Sequence, residues 1–437
     1  MSPVLSSSTS VPAKTPLTGN QIRGFLAAWG GWLLDGMDSF IYALVLVPAL
    51  REVLPKSGIE ATPANIGYYG GVLFALFLVG WGLAVLWGPI ADRFGRMKTL
   101  MFTVLFFSVF TFLSAFAQNV WSLAIYRLLA GTGIGGEWSV GATFVSEEWP
   151  EDRRKQGAGL MHTGYYVGFF VAAIANYFIG AHYGWRWMFA LGGFPALLVA
   201  FFYGNVKEPE KWKKKREELG HRLTLLSSLR GPLSGVYLRR TILNSIFMVV
   251  SITGLWAGSS YVPAAVTQIA ARGGRSAVEA AQLSSYATAI LSVGTVVGAL
   301  MTAWLAEKLG RRGALGFFFV LMMIFIAVTF GKVFYMPGGA LPLLFVCLFF
   351  LGLGGANFAV YSLWLPEQYA TECRGSAFAI VTSGTRFLGA AMSFLVGAGV
   401  KYFGTIGTPV ALTSIAFAIG ILLLPLGYET KGQELPK

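Results

Sequence analysis

Cysteine, histidine and charge are all scarce in this chain. Its 437 residues include 2 cysteines and 3 histidines, and only 12% are Asp, Glu, Lys or Arg, about half the ~25% of an average soluble domain. Cys347 lies in an apolar run and Cys373 in a charged one, which argues against a disulfide framework. His162, His182 and His221 are far apart and form no zinc motif. There is no G-x-x-x-x-G-K-[ST] loop, so a P-loop does not power the protein with ATP. Gly131-x-Gly133-x-x-Gly136 matches a dinucleotide fingerprint in letters only, because no strand precedes it and it sits inside an apolar helix. Small residues there suit close helix packing. No nucleophile or metal set points to an enzyme, and no cofactor is implied. What the chain has instead is apolar: 55% hydrophobic residues, 55 glycines and a mean hydropathy of +0.63.

Apolar runs recur at roughly 22–50, 66–90, 97–117, 120–147, 156–181 and 186–205, then at 239–270, 281–306, 313–333, 340–366, 374–400 and 405–428. A membrane span needs about 20 apolar residues. The sequence therefore predicts an all-α membrane protein of twelve transmembrane helices in two six-helix bundles. The expected divisions are a disordered cytoplasmic tail at 1–20, a first bundle at 21–205, a linker at 206–238, a second bundle at 239–428 and a tail at 429–437. The linker is rich in Lys and Arg, and suits either a surface helix on anionic lipid or a solvated connection. With both termini inside, 24 of the 33 Lys and Arg fall on the cytoplasmic side and 7 in external loops. That bias sets the orientation, and it accounts for the net charge of +13 without nucleic acid. Compact loops suit a bacterial inner membrane.

Two patterns recur between the halves. After the second span comes Gly88-Pro-Ile-Ala-Asp92-Arg93-Phe-Gly95-Arg96, and after the eighth Ala303-Trp-Leu-Ala-Glu307-Lys308-Leu-Gly310-Arg311-Arg312. After the fourth span, Glu147 is followed by an aromatic two on and Arg154 seven on; after the tenth, Glu367 is followed likewise by Tyr369 and Arg374. The offsets are 215 and 220 residues. Repeated halves of this kind place a substrate near the midplane between them and rock around it.

Charges inside apolar spans are costly and mark pathways. Asp35 and Asp38 fall near the middle of the first span, three residues apart and nearly on one face. Two carboxylates so close in low dielectric cannot both ionise cheaply, so one is expected to carry a proton. That makes them candidates for proton coupling, although a helix cap at Gly36 or a pairing with arginine is the structural alternative. Glu137 in the fourth span is a further proton candidate. Arg386, about twelve residues into the eleventh span, needs an anion: one of the aspartates or a substrate carboxylate. Arg127 reads as a brace of the first bundle or a second substrate contact. Tyr42, His162, Tyr165, Trp256, Tyr261, Asn357 and Tyr361 are further candidates to line the site, with Asn244 beside them.

The Gly88–Arg96 loop and Arg127-Leu-Leu-Ala-Gly131-Thr-Gly133-Ile-Gly135-Gly136 resemble signature segments of the major facilitator superfamily, and the resemblance runs from about residue 21 onward. It implies a monomeric alternating-access transporter whose cytoplasmic side is locked by Gly88, Asp92, Arg93, Gly95 and Arg96 and their counterparts. Those are Glu147, Arg154, Glu307, Arg311, Glu367 and Arg374, with Glu307 standing where the first half has Asp92. The first span, Trp29-Gly-Gly-Trp32-Leu-Leu-Asp35-Gly-Met-Asp38, and the segments from Phe144 and Trp185 are similar to bacterial sialic acid–proton symporters and their lactate-transporting relatives. Asp35-Gly-x-Asp38 also occurs in aromatic acid–proton symporters, and Arg386, twelve residues after Arg374, matches that group better. The expected function is import of a small carboxylate, sialic acid-like or lactate-like, with the proton as the only coupling species. An aromatic-acid or neutral-sugar symporter, a drug/proton antiporter and a non-transporting receptor remain open.

Overall fold

The computed structural model describes residues 15–87, 90, 96–194, 231–336, 340–370, 373–433 and 436. Most of the N-terminal tail and of the linker, and the loop residues Gly88, Asp92, Arg93 and Gly95, lie outside the described residues. So do the side chains of Arg96, Glu137, Glu147 and Arg154. Among the described residues the regular structure is all helical.

The first half contains α1 (Gly19–Val53), α2 (Pro63–Leu83), α3 (Arg96–Ser114), α4 (Val120–Glu148), α5 (Glu151–Ala175) and the start of a sixth span, α6 (Trp185–Gly192). The second half contains α7 (Gly235–Ile252), α8 (Val262–Arg272), α9 (Ala277–Gly331), α10 (Ala340–Gly355), α11 (Asn357–Trp364), α12 (Arg374–Ala379), α13 (Arg386–Phe403), α14 (Gly407–Leu412) and α15 (Ser414–Leu423). The first span begins at Gly19 and the seventh at Gly235, a few residues ahead of the apolar runs. The reasons are local. Thr18 and Gln21 cap α1 reciprocally, and polar first turns cost nothing outside the hydrocarbon.

Eight of the described helices are long and apolar enough to span a membrane. At 55 residues α9 would run ~80 Å if straight, far beyond a ~30 Å hydrocarbon core. Gly310, at φ 79° and ψ 171°, folds it back, so it supplies the eighth and ninth spans. Only glycine takes that backbone conformation without strain. Ser276 and Glu279 form the capping box that starts it.

The internal repeat reappears in the packing. A methyl on Gly80 of α2 would meet the Leu128 carbonyl oxygen of α4 at 2.1 Å, and one on Gly131 the Phe77 oxygen at 2.2 Å. In the second half, a methyl on Gly294 of α9 would collide with the Phe349 oxygen, and one on Gly352 of α10 with the Leu291 oxygen. Gly294 follows Gly80 by 214 positions and Gly352 follows Gly131 by 221, each within one residue of a loop-pattern offset. Helix pairs in lipid associate through such backbone contact, because burying apolar side chains gains little there. Leu395, Leu422, Ile125 and Trp121 cover the outside and are exposed, as lipid-facing side chains are.

The start of α1 and the segment that follows α15 lie at the same end of the bundle, here called the terminal face. The loops joining α1 to α2 and α8 to α9 lie at the opposite, distal face.

Candidate substrate site

Between the halves, side chains from seven spans enclose a small cage. The first half contributes Trp32, Trp81, Trp138, His162, Tyr165 and Tyr166, and the second Leu255, Trp256, Phe358 and Arg386. The enclosed space is about 10 Å³, room for one water, so the site is occluded and the halves must part to admit a substrate. All the first-half residues stand on regular helix. The second-half residues stand in, or immediately after, helix interruptions. Leu255 and Trp256 lie in the π-helical turn Thr253–Ser259, Phe358 just past the break between α10 and α11, and Arg386 just past the π-helical turn Ile380–Gly384. Such turns shift a helix's register by one residue and re-aim the side chains that follow.

Arg386 is the only charged group lining the cage among the described residues. Its guanidinium lies 3.9 Å from the Trp81 ring centroid and 5.9 Å from that of Phe358. Nε donates to the Thr382 carbonyl at 3.2 Å, and Nη1 is buried without a hydrogen-bond partner. Among the described residues no carboxylate is paired with it. Around it, Trp32 stacks on Trp138 with centroids 5.6 Å apart and on Tyr165 at 4.6 Å. The cage is thus one fixed cation in an aromatic box, suited to a flat anion.

Contacts between the halves seal the cage toward the distal face. Tyr166 donates to the Gly355 carbonyl at 3.2 Å and lies 3.3 Å from His162 Nε2. Tyr261 donates to the Gly67 carbonyl at 3.2 Å, and Asn176 donates to Ser285 Oγ at 3.0 Å. Nearer the distal face, α2 and α13 touch at Gly71 and Gly397. Tyr42, Tyr261, Ser260 and Ser393 line a second small cavity there, separated from the cage by Trp256. Toward the terminal face, Trp138 packs on Phe378 at 5.4 Å.

A second charged site lies inside the first half. Asp38 and Arg127 are fully buried, with Nη1 3.6 Å from Oδ2. The rings of Phe77, Tyr42 and Phe189 stand 4.6, 4.9 and 5.9 Å from the guanidinium carbon. Asp38 also faces Thr111 of α3 and Gly192 of α6. Asp35 is equally buried but lies on the α5 side, within electrostatic reach of Tyr165. A three-residue step turns a helix ~60°. That is enough to give each aspartate its own neighbours, so the expected shared carboxyl site separates into two.

Of the residues expected to line the site, His162, Tyr165, Trp256 and Arg386 meet in the cage. Tyr42 and Tyr261 line the distal cavity. Arg127 is held by Asp38 away from the cage. Tyr361 is bound to Ser251 at 2.9 Å, and Asn357 donates to the Gly354 carbonyl at 2.9 Å; neither lines either cavity. Asn244 belongs to a cluster with Gln368 and Tyr369 at the terminal face. The sequence reading missed Trp32, Trp81, Trp138, Tyr166, Leu255 and Phe358. Its available signal was tryptophan at mid-span, since membrane tryptophans otherwise collect at the interfaces.

At the terminal face of the second half, Arg311 holds Glu367 with two hydrogen bonds, 2.8 and 2.7 Å. Arg374 donates to the Pro366, Tyr369 and Pro436 carbonyls. Glu307 is exposed and sits beside this cluster. The tail takes part, which the sequence reading did not anticipate. Glu429 accepts from the backbone N–H groups of Arg311 and Arg312 at 2.9 and 3.1 Å, and Thr430 donates to Glu367. Burial alone would raise the Glu429 pKa, but these N–H groups and those of Thr430 and Lys431 outweigh it and hold the carboxyl below its ordinary value.

Residues 28–285 match the family described as Major Facilitator Superfamily, and residues 240–435 that described as Sugar (and other) transporter. The chain is 28% identical to a protein of Cupriavidus pinatubonensis described as a probable 4-methylmuconolactone transporter, over 94% of this chain and 91% of that one. It is 27% identical to a niacin transporter of Acinetobacter baylyi (93% of each) and 25% identical to a sialic acid transporter of Escherichia coli (94% and 95%). The fold superposes on a partially occluded, inward-open xylose transporter of E. coli with a TM-score of 0.75 at 19% identity, covering 96% of this chain and all of that one. With a family match over more than half its length and the two-bundle fold, this chain belongs to the major facilitator superfamily, as a multi-pass membrane transporter.

Proposed function

We propose that this transporter imports small planar carboxylates together with protons. The observation that carries the reading is Arg386: a guanidinium that cannot lose its charge, stacked on Trp81 in an aromatic cage, with one N–H group aimed at no partner. A ring acid satisfies both features, its carboxylate on the guanidinium and its face on the indoles. All three relatives are named for compounds that combine a ring with a carboxyl group, and niacin is flat, which supports this class over lactate-like acids.

Asp38 is the proposed proton site. Its attraction to Arg127 is lost when it is protonated, and the three rings around the guanidinium keep Arg127 tolerable while alone. Entry of one anion with one proton moves no net charge, and so avoids the ~2.3 kcal/mol per 100 mV that an anion alone would face. The excess of Lys and Arg in the loops of the terminal face supports a cytoplasmic position for it. The path lies within one chain, so a monomer suffices, with no cofactor beyond the proton.

The test is internal pH in proteoliposomes carrying a trapped dye. Nicotinate or benzoate added outside should acidify the lumen, and xylose should not. The Asp38→Asn variant should still exchange labelled acid but lose both the acidification and uphill accumulation. Uphill, pH-driven accumulation by that variant would remove Asp38 from the coupling step. A response to xylose alone would overturn the role given to Arg386.

A further inference from the structure

We propose that the cage has a second pole at which two indole N–H groups donate, and that its substrate bears a hydrogen-bond acceptor on the ring besides its carboxylate. The inference rests on reading the cage as the substrate site. The indole N–H groups of Trp32 and Trp256, like Arg386 Nη1, are buried without a hydrogen-bond partner, and all three residues line the cage with no more than 2% of their surface exposed. An indole N–H can only donate, and so can a guanidinium. Leaving a buried donor unmade is costly in a folded protein.

The placement gives the second pole its distance from the first. Arg386 rests on the Trp81 ring. Trp32 and Trp256 flank that ring, with centroids 6.4 and 5.9 Å from it. They come from opposite halves, Trp32 from α1 and Trp256 from the π-helical turn after α7. A ring acid held at Arg386 by its carboxylate therefore presents its remaining edge to two donors. An aza nitrogen, ring oxygen or ring carbonyl satisfies them, whereas a C–H edge leaves them unpaired. Sites that hydrogen-bond a substrate group discriminate strongly against the analogue that lacks it.

Because the two indoles belong to different halves, a ring acceptor bound to both would also tie the halves together in the occluded state. A plain ring acid would bind without that link. Acceptor-bearing acids should then gain in turnover as well as in affinity.

Benzoate and the three pyridinecarboxylates form the probe set, each pyridine replacing one C–H by a nitrogen without changing ring size. In reconstituted full-length protein, at least one pyridine isomer should compete about tenfold better than benzoate for uptake, the worth of one or two well-made hydrogen bonds. This comparison needs no variant. Trp32→Phe and Trp256→Phe keep a ring while removing the N–H, and each should narrow the preference for the pyridine isomer over benzoate, measured in the same variant, to about twofold. Equal competition by benzoate and every pyridine isomer overturns the donor pole and leaves the carboxylate reading standing. So does a loss in both variants that is the same for all four acids. Failure of all four acids to compete or be carried overturns the carboxylate reading and the donor pole with it.

Discussion

The distal seal can be wedged open at one atom. A methyl on Gly397 of α13 would stand 3.0 Å from Gly71 Cα, 3.0 Å from the Tyr68 carbonyl oxygen and 3.5 Å from that of Gly67. All three are backbone atoms of α2, so no side-chain rotation relieves the contact. Overpacking of this kind costs about 1–3 kcal/mol, and here the cost falls only on the state in which α2 and α13 touch. Gly397→Ala should therefore shift the conformational equilibrium toward a distal-open state about 5- to 150-fold. Ser393, one turn away and lining the distal cavity, is the reporter. A Ser393→Cys substitution, made with Cys347→Ser and Cys373→Ser, is alkylated by an impermeant maleimide only when the seal parts. Adding Gly397→Ala should raise that rate about tenfold or more, and uphill uptake should fall as the inward-facing state is lost. Gly30→Ala, with nothing within 4 Å of the added methyl, is the control. If Gly397→Ala alkylates no faster than Gly30→Ala, the Gly71–Gly397 contact does not seal the distal side.

Arg386→Lys keeps the charge but loses the planar stack on Trp81 and the Nε bond to Thr382. Apparent affinity for the carried acid should fall about 10- to 30-fold, read as the concentration that half-saturates dye acidification, while proton coupling persists. Glu367→Gln leaves Arg311 without its bidentate partner in a site that is neither exposed nor fully dry. It should cost about 2 kcal/mol, between the values for surface and buried pairs, seen as a lower melting temperature in detergent. Glu429 has a depressed pKa in the folded protein, so its stabilising effect is full above its unfolded value of ~4.3 and is lost as pH falls through the lower folded value. Glu429→Gln should thus lower the melting temperature at pH 7, and the gap from the wild type should close on acidification; a gap that stays constant would show that the carboxylate's charge does not matter there.

The spans were legible because twenty apolar residues in a row have few other uses, and the two bundles because loop patterns repeat at a fixed offset. The interruptions were not legible. Thr253–Ser259 and Ile380–Gly384 read as continuous apolar helix, yet each is a π-helical turn. Nothing in residue type along a uniformly apolar run reports a one-residue slip in hydrogen-bond register. Gly310 shows the converse. It was visible within a charged loop pattern, but its role in turning α9 back depends on a left-handed φ that the letter G only permits.

The two arginines buried within the first and second bundles' spans, Arg127 and Arg386, show where sequence reasoning about the site stops. Arg127 and Arg386 carry the same penalty in an apolar span, and from the sequence each could meet a substrate or an aspartate. What separates them is register between helices. α1 and α4 bring Asp38 to Arg127 across 89 positions of chain, and the turn before Arg386 aims it onto Trp81 instead. Once a carboxylate has taken one guanidinium, the other is left with a carbonyl, a ring and an unused N–H. The aromatics that complete the cage were hidden for a different reason: at 15% of the chain they are too many to stand out singly. Only the charge they surround identifies them, so the cage could be found from Arg386 outward but not from its tryptophans inward.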